Sequence, residues 1–152
     1  MNRREMLTGA AALLAAATTG RALAADHAHA GHAQTDAHHA HSANPNQALL
    51  AATADCIVKA QLCVQHCLVL LGQGDKEMAA CAQSSNQVIA ACGALQQLAA
   101  ADSKHLPQMA RLAMDLCKEC EDECRKMDKH PECKACGEAC ISCYRECRKI
   151  AA

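Results

Sequence analysis

The chain has 152 residues, among them 13 cysteines, nine histidines, six methionines and one tyrosine, with no phenylalanine or tryptophan. Fifteen basic residues stand against 16 acidic ones, a formal net charge of −1. Balanced charge without a basic patch or an aromatic platform excludes nucleic-acid binding, and a core without aromatic rings must be filled by small side chains.

Met1 to Ala24 reads as a signal peptide. Arg3 and Arg4 form a twin-arginine pair, an apolar stretch runs from about Met6 to Ala17, and Ala22-Leu23-Ala24 supplies an A-x-A cleavage site. That stretch is too short to cross a bilayer, and no other uncharged run of about 20 apolar residues follows it. The expectation is a chain with no membrane span, exported by the twin-arginine route to the periplasm or another extracytoplasmic compartment and beginning at Ala25. That route resembles the bacterial pathway that moves already folded proteins, which suits thiols needing protection before they meet an oxidising compartment.

Residues 25–44 hold Ala, His, Ser, Gly and Asp with no large apolar side chain, so a disordered segment is expected. It carries six histidines: His27, His29, His32, His38, His39 and His41. Two uses stay open, a solvated tether and a Cu(II) or Zn(II) site. Cleavage after Ala24 would expose Ala25-Asp26-His27, whose amine, two amides and imidazole make a square-planar nitrogen set for Cu(II).

Residues 45–152 read as four helices in an all-α, antiparallel bundle. The first starts with Asn44 as N-cap, Pro45 at N1 and Gln47 at N3, and runs to about Leu71 before Gly72-Gln73-Gly74. Asp75 caps the second, which reaches about Ala101; the third spans Leu106-Pro107 to around Lys129; the fourth opens on Pro131 and ends at Ile150. Short connections predict up-down-up-down topology over about 30 to 40 Å.

Cysteines mark one stripe on every helix. Cys56, Cys63 and Cys67 are spaced 7 and 4 apart, and Cys81 and Cys92 are 11 apart. Cys117, Cys120 and Cys124 form one run, and Cys133, Cys136, Cys140, Cys143 and Cys147 another, with every step 3 or 4. Such steps return to one face of a helix, so the bundle interior should be a column of sulfur. Measured from the end holding the first and third loops, Cys67, Cys81, Cys124 and Cys133 come first and Cys63, Cys120, Cys136 and Cys140 next. Cys56, Cys92, Cys117, Cys143 and Cys147 lie furthest in.

A helix made only to pack would use Leu, Ile or Val, so the sulfur needs a chemical reason. Disulfides fit an oxidising compartment, but 13 is odd and thiols on one helix stripe have Cα–Cβ bonds tilted alike, which disfavours the disulfide dihedral. Structural zinc closes with four ligands, and cubane ferredoxins use C-x2-C-x2-C-x3-C-P loops that this chain lacks. Cu(I) is soft, selects thiolate and accepts low coordination numbers, so a row of thiolates can hold a row of Cu(I) ions. An iron–sulfur or zinc module and a thiol redox protein remain the alternatives; the latter would use Cys133, which sits in the first turn of the fourth helix.

The twin-arginine leader, the four inward stripes, Cys63-x-x-x-Cys67 and the 3/4-spaced runs resemble the exported copper storage proteins of bacteria, over essentially the whole mature domain. Catalysis is not expected, since a single redox pair would leave eleven of the 13 cysteines unexplained; the resemblance implies that Cu(I) fills the bundle through its cysteines and that bundles associate as a homotetramer. It also implies that stored copper can serve copper enzymes such as particulate methane monooxygenase. Met and His residues near one bundle mouth are associated with metal admission in such proteins; His66 and Met78 match that place, while Leu70 and Gln73 stand where some members have further methionines.

The residues themselves put His66, Met78, Met127 and His130 near that end, where weaker thioether and imidazole ligands would hand Cu(I) inward. Packing and solvated or capping roles are the other reading of the same four. His105, Met109 and Met114, at the opposite end, are read as packing or capping residues. Residues 101–152 carry 10 basic and 10 acidic residues, whereas Asn46 to Ala100 holds only Asp55, Lys59, Asp75, Lys76 and Glu77. A first helix apolar around much of its circumference predicts that the first two helices supply a subunit interface.

Overall fold

The computed structural model describes residues 44–151. It contains α1 (Gln47–Gly72), α2 (Met78–Ala100), α3 (Leu106–Lys126) and α4 (Pro131–Ile150), with no strand among the described residues. α1 packs on α2 and α4, and α3 packs on the same two helices, so the four close a ring around one core. The expected signal peptide and nearly all of the His-rich segment, including Ala25-Asp26-His27, lie outside the described residues.

α4 begins at Pro131, whose missing N–H is no loss in a first turn. The α1 start differs from the expected one. Asn44 and Pro45 lie in a turn before the helix, the Asn44 side chain accepts a hydrogen bond from the Asn46 N–H at 2.7 Å, and Asn46 is the N-cap without a side-chain capping bond. Both asparagines instead reach across the bundle. The Asn46 amide donates to the Ala99 carbonyl at 3.1 Å, and the Asn44 amide donates to the Ala99 and Ala100 carbonyls at 3.2 and 3.1 Å. They satisfy carbonyls that the end of α2 leaves free.

Asp75 likewise serves the turn before α2, accepting from the Glu77 N–H at 3.1 Å, and the helix proper begins three residues later at Met78. Gly74 adopts φ +96°, which a side chain would disfavour. α3 ends at Lys126, three residues short of the expected Lys129, because Met127 to Lys129 form the turn into α4. α3 and α4 approach closely at Gly137, where a Cβ would lie 3.3 Å from that of Cys124.

All 13 cysteines are free and buried, and they fill most of the length of the core. Leu49, Leu95, Ala99, Leu106 and Ala110 complete it at the end holding the α2–α3 loop. α1 is long and apolar enough to cross a membrane by length and composition, yet its inward stripe is Leu49, Thr53, Cys56, Ala60, Cys63 and Cys67. Its outward apolar residues Val58, Leu62, Leu68 and Val69 remain exposed.

Candidate metal centre

Each helix brings its stripe to the axis, because steps of 3 and 4 hold successive thiols on one face. Nearest the α1–α2 and α3–α4 loops, the Cys63 Sγ lies 3.5 Å from that of Cys81, 3.6 Å from Cys133 and 4.0 Å from Cys67. Cys81 is 3.7 Å from Cys124 and 3.8 Å from Cys133. Cys63 therefore joins the thiols nearest the mouth, one level higher than its expected place, since α1 meets α2 and α4 there at close range.

Further in, Cys120 lies 3.8 Å from both Cys124 and Cys136, and Cys56 lies 3.8 Å from Cys140. Cys92 is 3.7 Å from Cys143, which is 3.9 Å from Cys147. Sets with every sulfur within 4.8 Å of the others include Cys56, Cys92, Cys117 and Cys143; Cys63, Cys67, Cys81 and Cys133; Cys63, Cys124 and Cys136; and Cys120, Cys136 and Cys140. A bond from a first-row metal to thiolate is about 2.3 Å, so one ion can span two sulfurs about 4.6 Å apart. Cys63 and Cys136 each belong to two sets. Such sharing suits soft, bridging Cu(I) and does not suit isolated four-ligand zinc sites.

Protons are unevenly held along the column. Hydrogen bonds from Cys117 and Cys140 lower the Cys56 thiol to about 5. Those from Cys124 and Cys133 lower both Cys63 and Cys81, whereas burial, with Cys63 and Cys81 alongside, raises Cys67. A bound cation drives off the protons that remain, because the ligand is the thiolate.

Ser85 lies outside the cysteine pattern. It is completely buried, and its hydroxyl lies 3.5 Å from the sulfurs of Cys63 and Cys120 and 3.7 Å from that of Cys136. Four residues after Cys81, it occupies a thiol position on the α2 stripe, and that spacing was the signal available to find it.

At the mouth, the His66 and His130 rings lie 4.8 Å apart, and the His66 Nδ1 is 3.5 Å from the Glu132 Oε2. The His66 Nε2, the His130 Nε2 and the Glu132 Oε2 are buried without a hydrogen-bond partner among the described residues. Buried polar atoms are rarely left so, and three in one cluster make this a candidate place for a water or a ligand. Glu132, one residue before Cys133, carries no metal-site signal of its own in the sequence. Met78 is fully buried at the start of α2, one turn before Cys81, and Met127 packs half-buried on the core. At the other end His105 is exposed as the α3 N-cap, and Met109 and Met114 pack half-buried against the core.

Comparison with known proteins agrees with this geometry. Residues 40–152 match the family model described as copper storage protein. An uncharacterized cysteine-rich protein of Bacillus subtilis strain 168, YhjQ, is 29% identical over 107 residues, covering 70% of this chain and 96% of the relative. The solved structure of apo copper storage protein 3 from Bacillus subtilis superposes with a TM-score of 0.63 at 28% identity, covering 70% of this chain and 99% of that one. The Cu(I)-bound copper storage protein BsCsp3 gives the same TM-score at 27% identity, covering 70% and 98%. A cysteine-filled four-helix bundle matched by the family model over all its described helices belongs to the copper storage protein family.

Proposed function

We propose that this chain stores and buffers Cu(I), without catalysing a reaction, by binding many ions to the thiolates inside its bundle for later supply to copper enzymes. The observation that carries this reading is the continuity of the column: every cysteine is buried, and each has another sulfur within bridging distance. If each Cu(I) is held by about two thiolates and each thiolate bridges about two ions, capacity approaches about 13 Cu(I) per chain. Anaerobic Cu(I) titration of the reduced protein against a competing chelator tests it. Saturation at about three or four ions would favour a small cluster and overturn the storage reading.

Copper enters, in this reading, at the end carrying His66, Met78, Met127 and His130. An N–H on His66 Nδ1 directed at Glu132 would leave the Nε2 lone pair free for a passing ion, as a carboxylate commonly does for a ligating histidine. Imidazole and thioether bind Cu(I) more weakly than thiolate, so the ion is dehydrated there without being trapped. Met78 contributes from beneath, one turn above Cys81.

The exposed apolar face of α1 is assigned to contact between subunits, with a homotetramer as the expected assembly. Val58, Leu62, Leu68 and Val69 are each at least half exposed, an arrangement that costs solubility unless covered. Sedimentation of the apo protein measures the subunit number, and charged replacements at Leu62 and Val69 should dissociate the assembly while the bundle stays helical. Export by the twin-arginine route completes the proposal, with the His-rich segment as a Cu(II) ligand separate from the store. Deleting residues 25–42 should leave Cu(I) stoichiometry intact and lower Cu(II) binding, since imidazole is the harder donor.

A further inference from the structure

The column is not uniform along its axis. Seven sulfurs near the mouth, those of Cys63, Cys67, Cys81, Cys120, Cys124, Cys133 and Cys136, are joined through separations of 3.5 to 4.0 Å. Five deeper ones form a second group: Cys56, Cys92, Cys117 and Cys143 lie within 4.8 Å of one another, and Cys147 is 3.9 Å from Cys143. Between the two groups, α1 offers Ala60 on its buried face, halfway from Cys56 to Cys63, and α2 offers Val88 between Cys81 and Cys92. Both are fully buried and neither is a soft ligand.

One sulfur touches both groups. Cys140 lies within 4.8 Å of Cys120 and Cys136 on the mouth side and 3.8 Å from Cys56 on the deep side. Of the sulfur–sulfur hydrogen bonds, that between Cys56 and Cys140 alone leaves the deep group, and none joins a mouth-side sulfur directly to a deep one.

We propose that the thiol column is two compartments joined at a neck, and that Cys140 is the relay through which Cu(I) passes between them. Cu(I) moves along thiolates by exchange, with the next sulfur binding before the last one leaves, so passage needs a sulfur within about 4.6 Å at every step. The ion keeps its oxidation state; one Cu–S bond forms as another breaks, and a thiol that is still protonated releases its proton as it binds. With copper arriving at the His66 end, the mouth compartment fills first and the deep one fills only through Cys140. This rests on the Cu(I)-storage reading above.

Cys140→Ser in the full chain tests the neck, with Cys147→Ser as the control that removes one deep thiol without cutting the path. Both are mixed anaerobically with a Cu(I)–chelator complex and desalted at short times. Partly loaded crystals, mapped at the copper absorption edge, then locate the ions. The control should lose about one ion from a capacity of about 13, whereas C140S should stop for a long interval at about seven, with copper peaks confined to the mouth compartment. A second variant adding Val88→Cys to C140S places a sulfur at the neck from α2 and should restore the parental rate. Failure to restore it would assign the defect to packing and overturn the relay, as would C140S loading both compartments as fast as the control. Copper confined instead to the deep compartment would leave the neck standing and move the entrance to the opposite end. A parental chain that saturates at a few ions would defeat the storage reading itself.

Discussion

The two ends of the bundle differ in what lies between solvent and the first sulfur. At the end of the α1–α2 and α3–α4 loops, Cys133 is the third residue of α4, Cys81 the fourth of α2 and Cys124 the third from the end of α3. The groups above them are imidazoles, a carboxylate and thioethers, three of whose polar atoms are buried without a hydrogen bond among the described residues. At the opposite end, Leu49, Leu95, Ala99, Leu106 and Ala110 fill the core, and Asn44 and Asn46 tie the start of α1 to the end of α2. Apolar packing there provides stability that an unmetallated thiol column would supply less well, while the mouth gives up packing for ligands. One end holds the bundle shut, and the other is the entrance proposed above.

Truncating the plug should have the largest effect on stability. Leu95 is fully buried on α2, and Leu95→Ala should cost about 2 to 5 kcal/mol in chemical denaturation of the apo protein, from lost transfer energy and the cavity left behind. Cu(I) stoichiometry and loading rate should not change. Faster loading of Leu95→Ala would mean that copper passes the plug, and the functional contrast between the ends would collapse.

The mouth should respond in the opposite way. Replacing His66 and Met78 together by leucine removes the imidazole and thioether; Met78→Leu conserves volume and should cost under about 1.5 kcal/mol. Loading and chelator-driven removal should slow by about tenfold, the lower end of what losing groups around a metal site usually costs, with final stoichiometry set by the thiolates unchanged. Parental rates in this variant, together with slowing in the matching His105 and Met109 variant, would put the entrance at the wrong end.

How far this asymmetry was legible depends on which interactions are local. Steps of 3 and 4 fix a helix face whatever surrounds it, so the sulfur column and the α4 boundaries at Pro131 and Ile150 could be read from the chain. The α1 start could not, because Asn44 and Asn46 use their amides on α2 carbonyls more than 50 residues away, a contact no local pattern encodes. Ser85 was readable from its spacing to Cys81 and was missed because only sulfur was being followed. Cys140 is different: its spacing resembles that of every other cysteine on α4, and its position at the neck arises from Ala60 and Val88 on other helices. Glu132 acquires its place only when α4 sets it beside His66 of α1.

The smallest expected effect sharpens the contrast most finely. Asn46 is nearly buried, and its amide donates to the Ala99 carbonyl at 3.1 Å, while that carbonyl also accepts from the Asn44 amide at 3.2 Å and the Asp102 N–H at 3.3 Å. Asn46→Ala therefore removes one of several bonds without orphaning its acceptor, and should cost about 0.5 to 1.5 kcal/mol, the net worth of a single hydrogen bond. The tie would then open more often, raising amide hydrogen exchange in the first turns of α1 and the last turn of α2. Loading should nevertheless keep the parental rate, because Leu49, Leu95 and Leu106 still separate that end from Cys56 and Cys92. If Asn46→Ala loads copper faster in proportion to its faster exchange, local opening of the tied end is itself a path to the thiols, and the plug acts as a second gate.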